Sequence, residues 1–161
     1  MKNTFGNALS VTLFGESHGE AIGATLDGLS PGITVDEEFI ISRLSRRRAQ
    51  GKTSTARTEA DVPHIVSGVF EGKTTGTPVT ILIFNENIKS KDYAATRALA
   101  RPSHADYTAY KKYHGFEDYR GGGHFSGRIT AALAAAGSIA EYALLQKGIR
   151  IGTHMARCAG L

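Results

Sequence analysis

The chain has 161 residues, of which 41% are hydrophobic and 21% are charged. This balance excludes an intrinsically disordered chain, and the length fits about one domain with a sizeable core. A formal net charge of +4 suits an anionic partner such as nucleic acid, a membrane surface or a small polyanion. The single cysteine excludes an internal disulfide and a cysteine-based zinc site, and it fits a reducing cytosol. The six histidines lack the HExxH spacing, so no metal site is predicted.

The first predicted elements are two strands that flank a histidine. Residues 9–14 alternate apolar and polar side chains, which is the pattern of a half-buried strand. Residues 21–26 read as a second strand that ends in a turn signal. The intervening segment 15–19 therefore places His18 at one end of the predicted sheet.

A helix, a hairpin and a long connection are predicted next. Asp36 can cap a helix, because acidic residues follow it directly and arginines come near the predicted end. Residues 65–70 and 79–84 are predicted strands of a hairpin, joined through residues 71–76. Residues 85–103 form a long polar connection, and connections of this length are usually functional or mobile. The predicted core face of the helix consists of Phe39, Ile40 and Leu44.

In the last third of the chain, the sequence pattern predicts two helices and the beginning of a strand. Residues 104–113 can form a short helix. A glycine-rich loop, residues 120–126, opens onto an alanine-rich helix over residues 127–147, for which Gly148 is the predicted C-terminal cap. Residues 149–153 have the composition of another strand.

Two histidines lie in sequence contexts that suit proton transfer. His18 is bracketed by small residues that let a substrate approach closely, and imidazole exchanges protons near pH 7. A tight turn with a hydrogen-bonded histidine explains the same residues. Arg101 and His104 lie in a proline-stiffened turn and suit an oxyanion. Here the alternative is a helix start, with Ser103 as the cap and Asp106 in the first turn.

Glycines and arginines near these histidines in the sequence suit the binding of an anionic ligand. The glycines of residues 120–128 expose backbone N–H groups at a helix N-terminus, where phosphate binds readily, although a close backbone crossing also needs glycine. The basic stretch 46–57 is by itself a solvated helix end. Together with Arg101 and Arg128 it brings up to seven cations to the loops that hold the histidines. That number suits a small ligand with several negative groups.

Six separated segments resemble the chorismate synthase family, in the family's order and over essentially the whole chain. They are residues 15–19, 22–28, 46–48, 67–76, 101–106 and 119–128. The resemblance implies an α+β fold, a β-α-β sandwich with helices packed between antiparallel sheets, assembled as a homotetramer. Since family members are considerably longer, it also implies that residues 1–161 are the amino-terminal portion of a single domain without an internal boundary.

The resemblance implies a cytoplasmic lyase of the shikimate pathway. Its reaction is the 1,4-anti elimination of phosphate from 5-enolpyruvylshikimate 3-phosphate, which gives chorismate and requires reduced FMN without net redox change. His18 would protonate the leaving phosphate, and His104 would serve the flavin. The implied substrate ligands are Arg48, Arg57, Arg101 and Arg128, and the implied flavin contacts are Arg47, Lys52, His124, Phe125 and Ser126. The chain alone is expected to be inactive, because the rest of the flavin pocket lies in the portion that follows.

The sequence also departs from the family's usual pattern. Ser103 stands where the family usually has glycine, Ser30 replaces a common proline, and His124 with Phe125 replaces an arginine and a small residue. The alternative function is a non-catalytic basic module that binds polyanions or RNA. That module predicts strongly salt-dependent binding of oligonucleotides without any dependence on flavin.

Overall fold

A five-stranded antiparallel sheet and three α-helices make up the described part of the fold. The computed structural model describes residues 2–47, 60–86, 93, 97, 99–158 and 160. The strands are β1 (Thr4–Gly6), β2 (Ser10–Gly15), β3 (Ala21–Asp27), β4 (His64–Ser67), β5 (Val69–Phe70), β6 (Lys73–Thr74) and β7 (Val79–Phe84). The helices are α1 (Glu37–Ser45), α2 (Asp106–Tyr113) and α3 (Thr130–Leu145), with 3₁₀ segments at Arg120–Phe125 and Gly127–Ile129.

The sheet has the strand order β1-β2-β3-β7-β4, and every neighbouring pair is antiparallel. Because side chains alternate between the two faces of a strand, one residue in two of β3 and β7 faces the helices. The cross-strand pairs on that face are Ile22 with Ile83, Ala24 with Ile81, and Leu26 with Val79, all of them buried. The two strands predicted at residues 9–14 and 21–26 are therefore confirmed.

Helix α1 packs its apolar stripe towards the sheet and α3. Asp36 accepts a hydrogen bond from the N–H of Phe39 at 2.9 Å, which is the predicted N-terminal cap. Ile40 and Leu44 are buried as predicted. The ring of Phe39 is half-buried and lies 5.0 Å from the ring of Tyr142 on α3. The predicted helix and its core face are confirmed.

Helix α3 is the central helix of the core. By length and apolar content the segment Gly127–Leu145 could cross a membrane, but in this fold its inner face is buried against the sheet. Its Glu141 lies 2.6 Å from Arg43 of α1. The helix ends at Leu145 with Gln146 as its C-terminal cap, so the cap predicted at Gly148 was wrong by two residues, and Gly148, with φ 75°, lies in the turn that follows. Small side chains allow α3 to pack closely against its neighbours. The buried alanines of the helix are Ala131, Ala132, Ala135 and Ala136.

Two predicted elements differ from the structure. The strands predicted at 65–70 and 79–84 do pair, but only β4 joins β7, and β5 forms a separate two-stranded sheet with β6. The chain turns at Gly68, whose φ is 79° and whose added Cβ would lie 2.5 Å from the Pro78 carbonyl oxygen. The strand predicted at 149–153 was wrong: in the described part of the chain these residues are exposed and irregular. A strand needs a neighbour to bond to, and periodicity alone does not supply one.

Candidate active site

Three turns meet at the end of β2, and their central element is a run of glycines. We call residues 15–20 the His18 turn, residues 101–106 the Arg101 turn and residues 118–126 the glycine loop. In the glycine loop, Gly121, Gly122 and Gly123 have φ values of 58°, 92° and 53°. A residue with a side chain pays roughly 1–2 kcal/mol for left-handed backbone, so only glycine suits three such positions in succession.

Hydrogen bonds tie the glycine loop to the His18 turn. The N–H of Ser17 donates to the carbonyl of Gly123 at 3.2 Å, and the Ser17 hydroxyl donates to the carbonyl of Arg120 at 3.3 Å. The Nδ1 of His124 donates to the carbonyl of Gly15 at 2.9 Å. The side chain that replaces the family's usual arginine therefore fastens the glycine loop to the end of β2.

The structure brings the two predicted catalytic histidines against consecutive glycines. A Cβ added to Gly121 would lie 2.3 Å from Cε1 of His18, and one added to Gly122 would lie 2.5 Å from Cε1 of His104. Consecutive Cα atoms are about 3.8 Å apart, so both imidazoles contact one short stretch of bare backbone. The absence of side chains at these two glycines is what allows both rings to approach.

His18 is held in a fixed orientation. Its side chain is buried, with 5% of the residue exposed, and its Nδ1 lies 3.1 Å from the hydroxyl of Ser17. Its ring meets the ring of Tyr93 edge to face, with centroids 4.9 Å apart. The hydroxyl and the aromatic ring together restrict the rotation of the imidazole.

His104 is oriented by a carboxylate. Its Nδ1 lies 2.7 Å from Oδ1 of Asp106 and 3.2 Å from a terminal guanidinium nitrogen of Arg101, and its Cε1 and Nε2 face Gly122. Asp106 also accepts hydrogen bonds from the backbone N–H of Arg101 at 2.9 Å and from its guanidinium at 2.8 Å. These bonds from Arg101 hold the pKa of the Asp106 carboxyl far below its ordinary value of 3.8. The imidazole of His104 therefore lies beside both members of the Arg101–Asp106 ion pair.

A cleft of about 990 Å³ opens beside these turns. Arg101, Gly122, His124 and Phe125 lie in its wall. Oε2 of Glu117, also in the wall, is buried and has no hydrogen-bond partner among the described residues. The lining combines aromatic rings and bare backbone, which suits a planar aromatic ligand, and neither His18 nor His104 is part of it. Its charged side chains are the basic Arg97, Arg101 and Lys111 and the acidic Glu16, Asp106, Glu117 and Asp118. The aromatic side chains of the wall include Phe14, Tyr93, Tyr107, Tyr110, Tyr113 and Tyr119.

Two of these tyrosines lie on helix α2 and face the cleft rather than a core. The helical spacing of Tyr107 and Tyr110 favours packing residues, but they are 61% and 55% exposed and line the cleft. Helix α2 buries only its small residue Ala109, so its larger side chains remain at the surface.

A second cluster of charges lies behind the His18 turn. Arg128 is 8% exposed, pairs with the carboxylate of Asp61, and donates from Nε to Oδ1 of Asn85 at 3.0 Å. The other Asp61 oxygen accepts from Arg47 at 2.8 Å. Two guanidiniums share one carboxylate here, so the cluster is net positive, as an anion site requires.

Sequence reasoning missed Asp61 and Asn85. Asn85 carries one signal that could have found it, since it is a polar residue directly after the apolar strand β7. Asp61 ends the polar stretch 50–61, which lacks periodicity, and it carries no comparable signal.

The predicted site residues fall into distinct places. His18, His104 and Arg101 meet at the glycine loop, whereas Arg47 and Arg128 meet at Asp61. The hydroxyl of Ser126 accepts from the N–H of Arg128 at 3.3 Å, which caps the 3₁₀ segment there. The side chains of His124 and Phe125 lie in the cleft wall. The remaining candidates, Arg48, Lys52 and Arg57, lie outside the described residues.

The helix cap predicted at Ser103 was wrong. The residue that precedes α2 is Ala105, and no side chain caps the helix there. Ser103 instead has φ 60°, which is left-handed backbone that favours glycine. This conformation gives a physical reason for the glycine that the family usually has at this position.

Comparison with known proteins identifies the family. The sequence profile of chorismate synthase matches residues 9–161. The chain belongs to the chorismate synthase family. It is 50% identical over 159 residues to the chorismate synthase of Chitinophaga pinensis, covering 99% of this chain and 48% of that protein. It is 51% identical over 152 residues to that of Thermococcus gammatolerans, covering 94% and 43%.

Solved structures agree with the sequence match. A crystal structure of chorismate synthase superposes with a TM-score of 0.62 at 31% identity, over 88% of this chain and 35% of that one. The expected α+β fold class is thereby confirmed. This chain spans about half the length of the curated chorismate synthases it matches. The match favours a lyase and gives no support to the alternative of a module that binds RNA.

The contact between Gly122 and His104 predicts the effect of one added methyl group. Gly122→Ala should displace the imidazole and lower the free energy of unfolding by about 1–3 kcal/mol. Gly127→Ala is the control, because an added Cβ there has no atom within 4 Å. NMR of the histidine Cε1–H groups and denaturant unfolding measure both effects. An unmoved His104 signal in Gly122→Ala would contradict the packing described here.

The backbone at Ser103 predicts that glycine is the better residue. Ser103→Gly should raise the free energy of unfolding by about 0.5–1 kcal/mol, because it removes left-handed strain. Ser42→Gly on α1 should lower it by about 0.5 kcal/mol, since helical backbone favours serine over glycine. Denaturant titration compares the two. Equal destabilisation by both substitutions would show that Ser103 is unstrained.

The ion pair between Asp106 and Arg101 predicts how stability varies with pH. A carboxyl whose pKa is lowered by folding stabilises the protein above about pH 4, and this contribution is lost as the pH falls through the folded pKa. Asp106→Asn should therefore be less stable than the unmodified protein at pH 6, with a difference that shrinks below pH 4. Asp27→Asn, at an exposed position, is the control. Unfolding curves between pH 3 and pH 7 measure the difference, and one that does not vary with pH would disprove the role of this carboxylate.

Proposed function

We propose that the intact protein is a chorismate synthase. It eliminates phosphate from 5-enolpyruvylshikimate 3-phosphate in the 1,4-anti sense and gives chorismate, the last common step of aromatic amino-acid biosynthesis. The observation that carries this proposal is the contact of His18 and His104 with consecutive glycines, next to Arg101 and an aromatic cleft. Membership of the chorismate synthase family supports it.

The substrate suits the charges of the site. It carries one phosphate and two carboxylates, so it requires several cations in one pocket. We assign substrate binding to Arg101 and Arg128, together with Arg48 and Arg57, which lie outside the described residues. The net positive cluster at Asp61 supports this assignment, because it lies directly behind the His18 turn.

Reduced FMN is the proposed cofactor, and the cleft fits it. A volume of about 990 Å³ with aromatic walls can take an isoalloxazine ring, and the buried Oε2 of Glu117 can accept a hydrogen bond from an N–H or hydroxyl of the ligand. When bound, FMN lends electron density to the elimination and recovers it, without net redox change. The proposed flavin contacts are Arg47, Lys52, His124, Phe125 and Ser126. Of these, His124 and Phe125 lie in the cleft wall, Arg47 and Ser126 bond Asp61 and Arg128 outside it, and Lys52 lies outside the described residues.

The chain's own groups supply proton transfer and charge stabilisation. His18 is placed to give a proton from Nε2 to the departing phosphate, while Ser17 holds Nδ1. His104 exchanges a proton at its ring, which lies beside the Arg101–Asp106 ion pair. The guanidinium of Arg101 neutralises negative charge that develops as the C–O bond breaks. The glycine loop contacts both imidazoles, and burial limits the access of water to His18.

We further propose that the protein works as a homotetramer in the cytoplasm. Residues 1–161 would be the amino-terminal portion of a single domain, and the portion that follows would complete the flavin pocket. The 161-residue chain alone would therefore be inactive. Leu133, which is 40% exposed on α3, and Ile151, which is 62% exposed, are apolar surface that further protein can cover.

Turnover by the intact protein tests this function. With reduced FMN and 5-enolpyruvylshikimate 3-phosphate it should release phosphate and form chorismate, and His18→Ala and His104→Ala should each slow turnover by roughly 10²-fold or more. His64→Ala, on an exposed face of β4, is the matched control and should retain activity. Unmodified protein that gives no chorismate but binds generic oligonucleotides in a salt-dependent way would instead favour the non-catalytic module.

A further inference from the structure

Asn85 contacts both ends of the His18 turn. It lies one residue beyond β7, and it is 9% exposed. Its backbone N–H donates to the carbonyl of Glu20 at 3.0 Å. Its side-chain amide donates to the carbonyls of Glu16 at 3.0 Å and Gly19 at 2.8 Å. One residue thus makes three hydrogen bonds to the turn that carries His18.

The chemistry of its partners fixes the orientation of the Asn85 amide. Oδ1 accepts a hydrogen bond from Nε of Arg128 at 3.0 Å, while Nδ2 donates to the two carbonyls. A guanidinium can only donate and a carbonyl can only accept, so the opposite orientation would lose all three side-chain bonds. Arg128 is itself paired with Asp61, which holds the amide from the other side.

The carbonyls that Asn85 bonds lie on either side of His18. Glu16 precedes the histidine by two residues and Gly19 follows it directly. The turn has one further internal backbone bond, from the N–H of Gly19 to the carbonyl of Glu16 at 3.0 Å. Loss of the Asn85 amide would leave the Glu16 carbonyl with the Gly19 N–H alone and would remove the side-chain donor from the Gly19 carbonyl. A buried carbonyl that loses a donor costs free energy, so this loss favours another conformation of the turn.

We propose that Asn85 is a positioning residue that sets the place of the His18 imidazole for proton transfer. The effect of Asn85 on catalysis rests on the proposed function, whereas its hold on the backbone of the His18 turn does not. Asn85 acts through the backbone of the His18 turn and reaches neither substrate nor cofactor. Its bond to Arg128 joins that turn to the start of α3, so the histidine and the buried guanidinium keep one relative position.

Asn85→Asp tests the proposal in the intact protein. The substitution keeps the shape and the acceptor for Arg128 but removes both side-chain donors. Gln146→Glu is the matched control, because the Gln146 amide also donates to two carbonyls, those of Thr34 and Tyr142, at the far end of α3. Asn85→Ser, which adds no charge, is measured in the same way and decides the question if Asn85→Asp does not fold.

Amide hydrogen exchange reports the position of the turn without any catalysis. In the Asn85 variants, exchange at Ser17 and Gly19 should rise by about tenfold or more, while exchange at Thr74, which bonds Ile33, should stay unchanged. An equal rise in exchange at all three amides would show that Asn85 only contributes to overall stability, and it would overturn the proposal. Unchanged exchange at Ser17 and Gly19 would also overturn it.

The turnover assay adds the catalytic readout. We expect kcat to fall by about tenfold or more in both Asn85 variants, because proton transfer is impaired, and KM to change less than about twofold in Asn85→Asp, which keeps the acceptor for Arg128. Gln146→Glu should change neither constant. An unchanged kcat, or a rise in KM alone, overturns the proposal. Unmodified protein without turnover would instead count against the proposed function, and hydrogen exchange would still decide whether Asn85 holds the His18 turn.

Discussion

The active-site architecture depends on bare backbone at three consecutive positions. Gly121, Gly122 and Gly123 adopt left-handed conformations that residues with side chains disfavour. Gly121 lies directly against the ring of His18, and Gly122 lies directly against the ring of His104. A methyl group at either position would occupy the volume of a histidine ring. The glycine loop therefore determines how close His18 and His104 come to each other and to a ligand in the cleft. The conformational entropy that glycine costs is offset by this contact between backbone and rings.

Each histidine has its own polar support, and the two supports differ in kind. Asp106 and Arg101, themselves an ion pair, both lie at Nδ1 of His104. For His18, Asn85 bonds the surrounding backbone, while Ser17 bonds the ring. A charged pair thus orients one imidazole, and neutral hydrogen-bonding groups orient the other.

His124 shows how a departure from the family pattern is accommodated. The imidazole spans from the glycine loop to the carbonyl of Gly15 and holds the loop by a hydrogen bond to backbone. On the far side of the His18 turn, Arg47 and Arg128 share the carboxylate of Asp61, whereas Arg101 is paired with Asp106. The hydrogen bond of His124 therefore keeps the loop in place without a guanidinium at this position.

The sequence alone determined the elements whose causes are local. The alternation of residues 9–14 and the cap at Asp36 each act within a few residues, so their patterns were enough to predict structure. The motif histidines were found for the same reason. Only the tertiary structure decided that β5 leaves the hairpin, that residues 149–153 stay irregular, and that Asn85 holds the His18 turn. Those outcomes depend on partners distant in the chain, such as the 66 residues between Asn85 and Gly19, and no local pattern encodes a hydrogen bond across that separation.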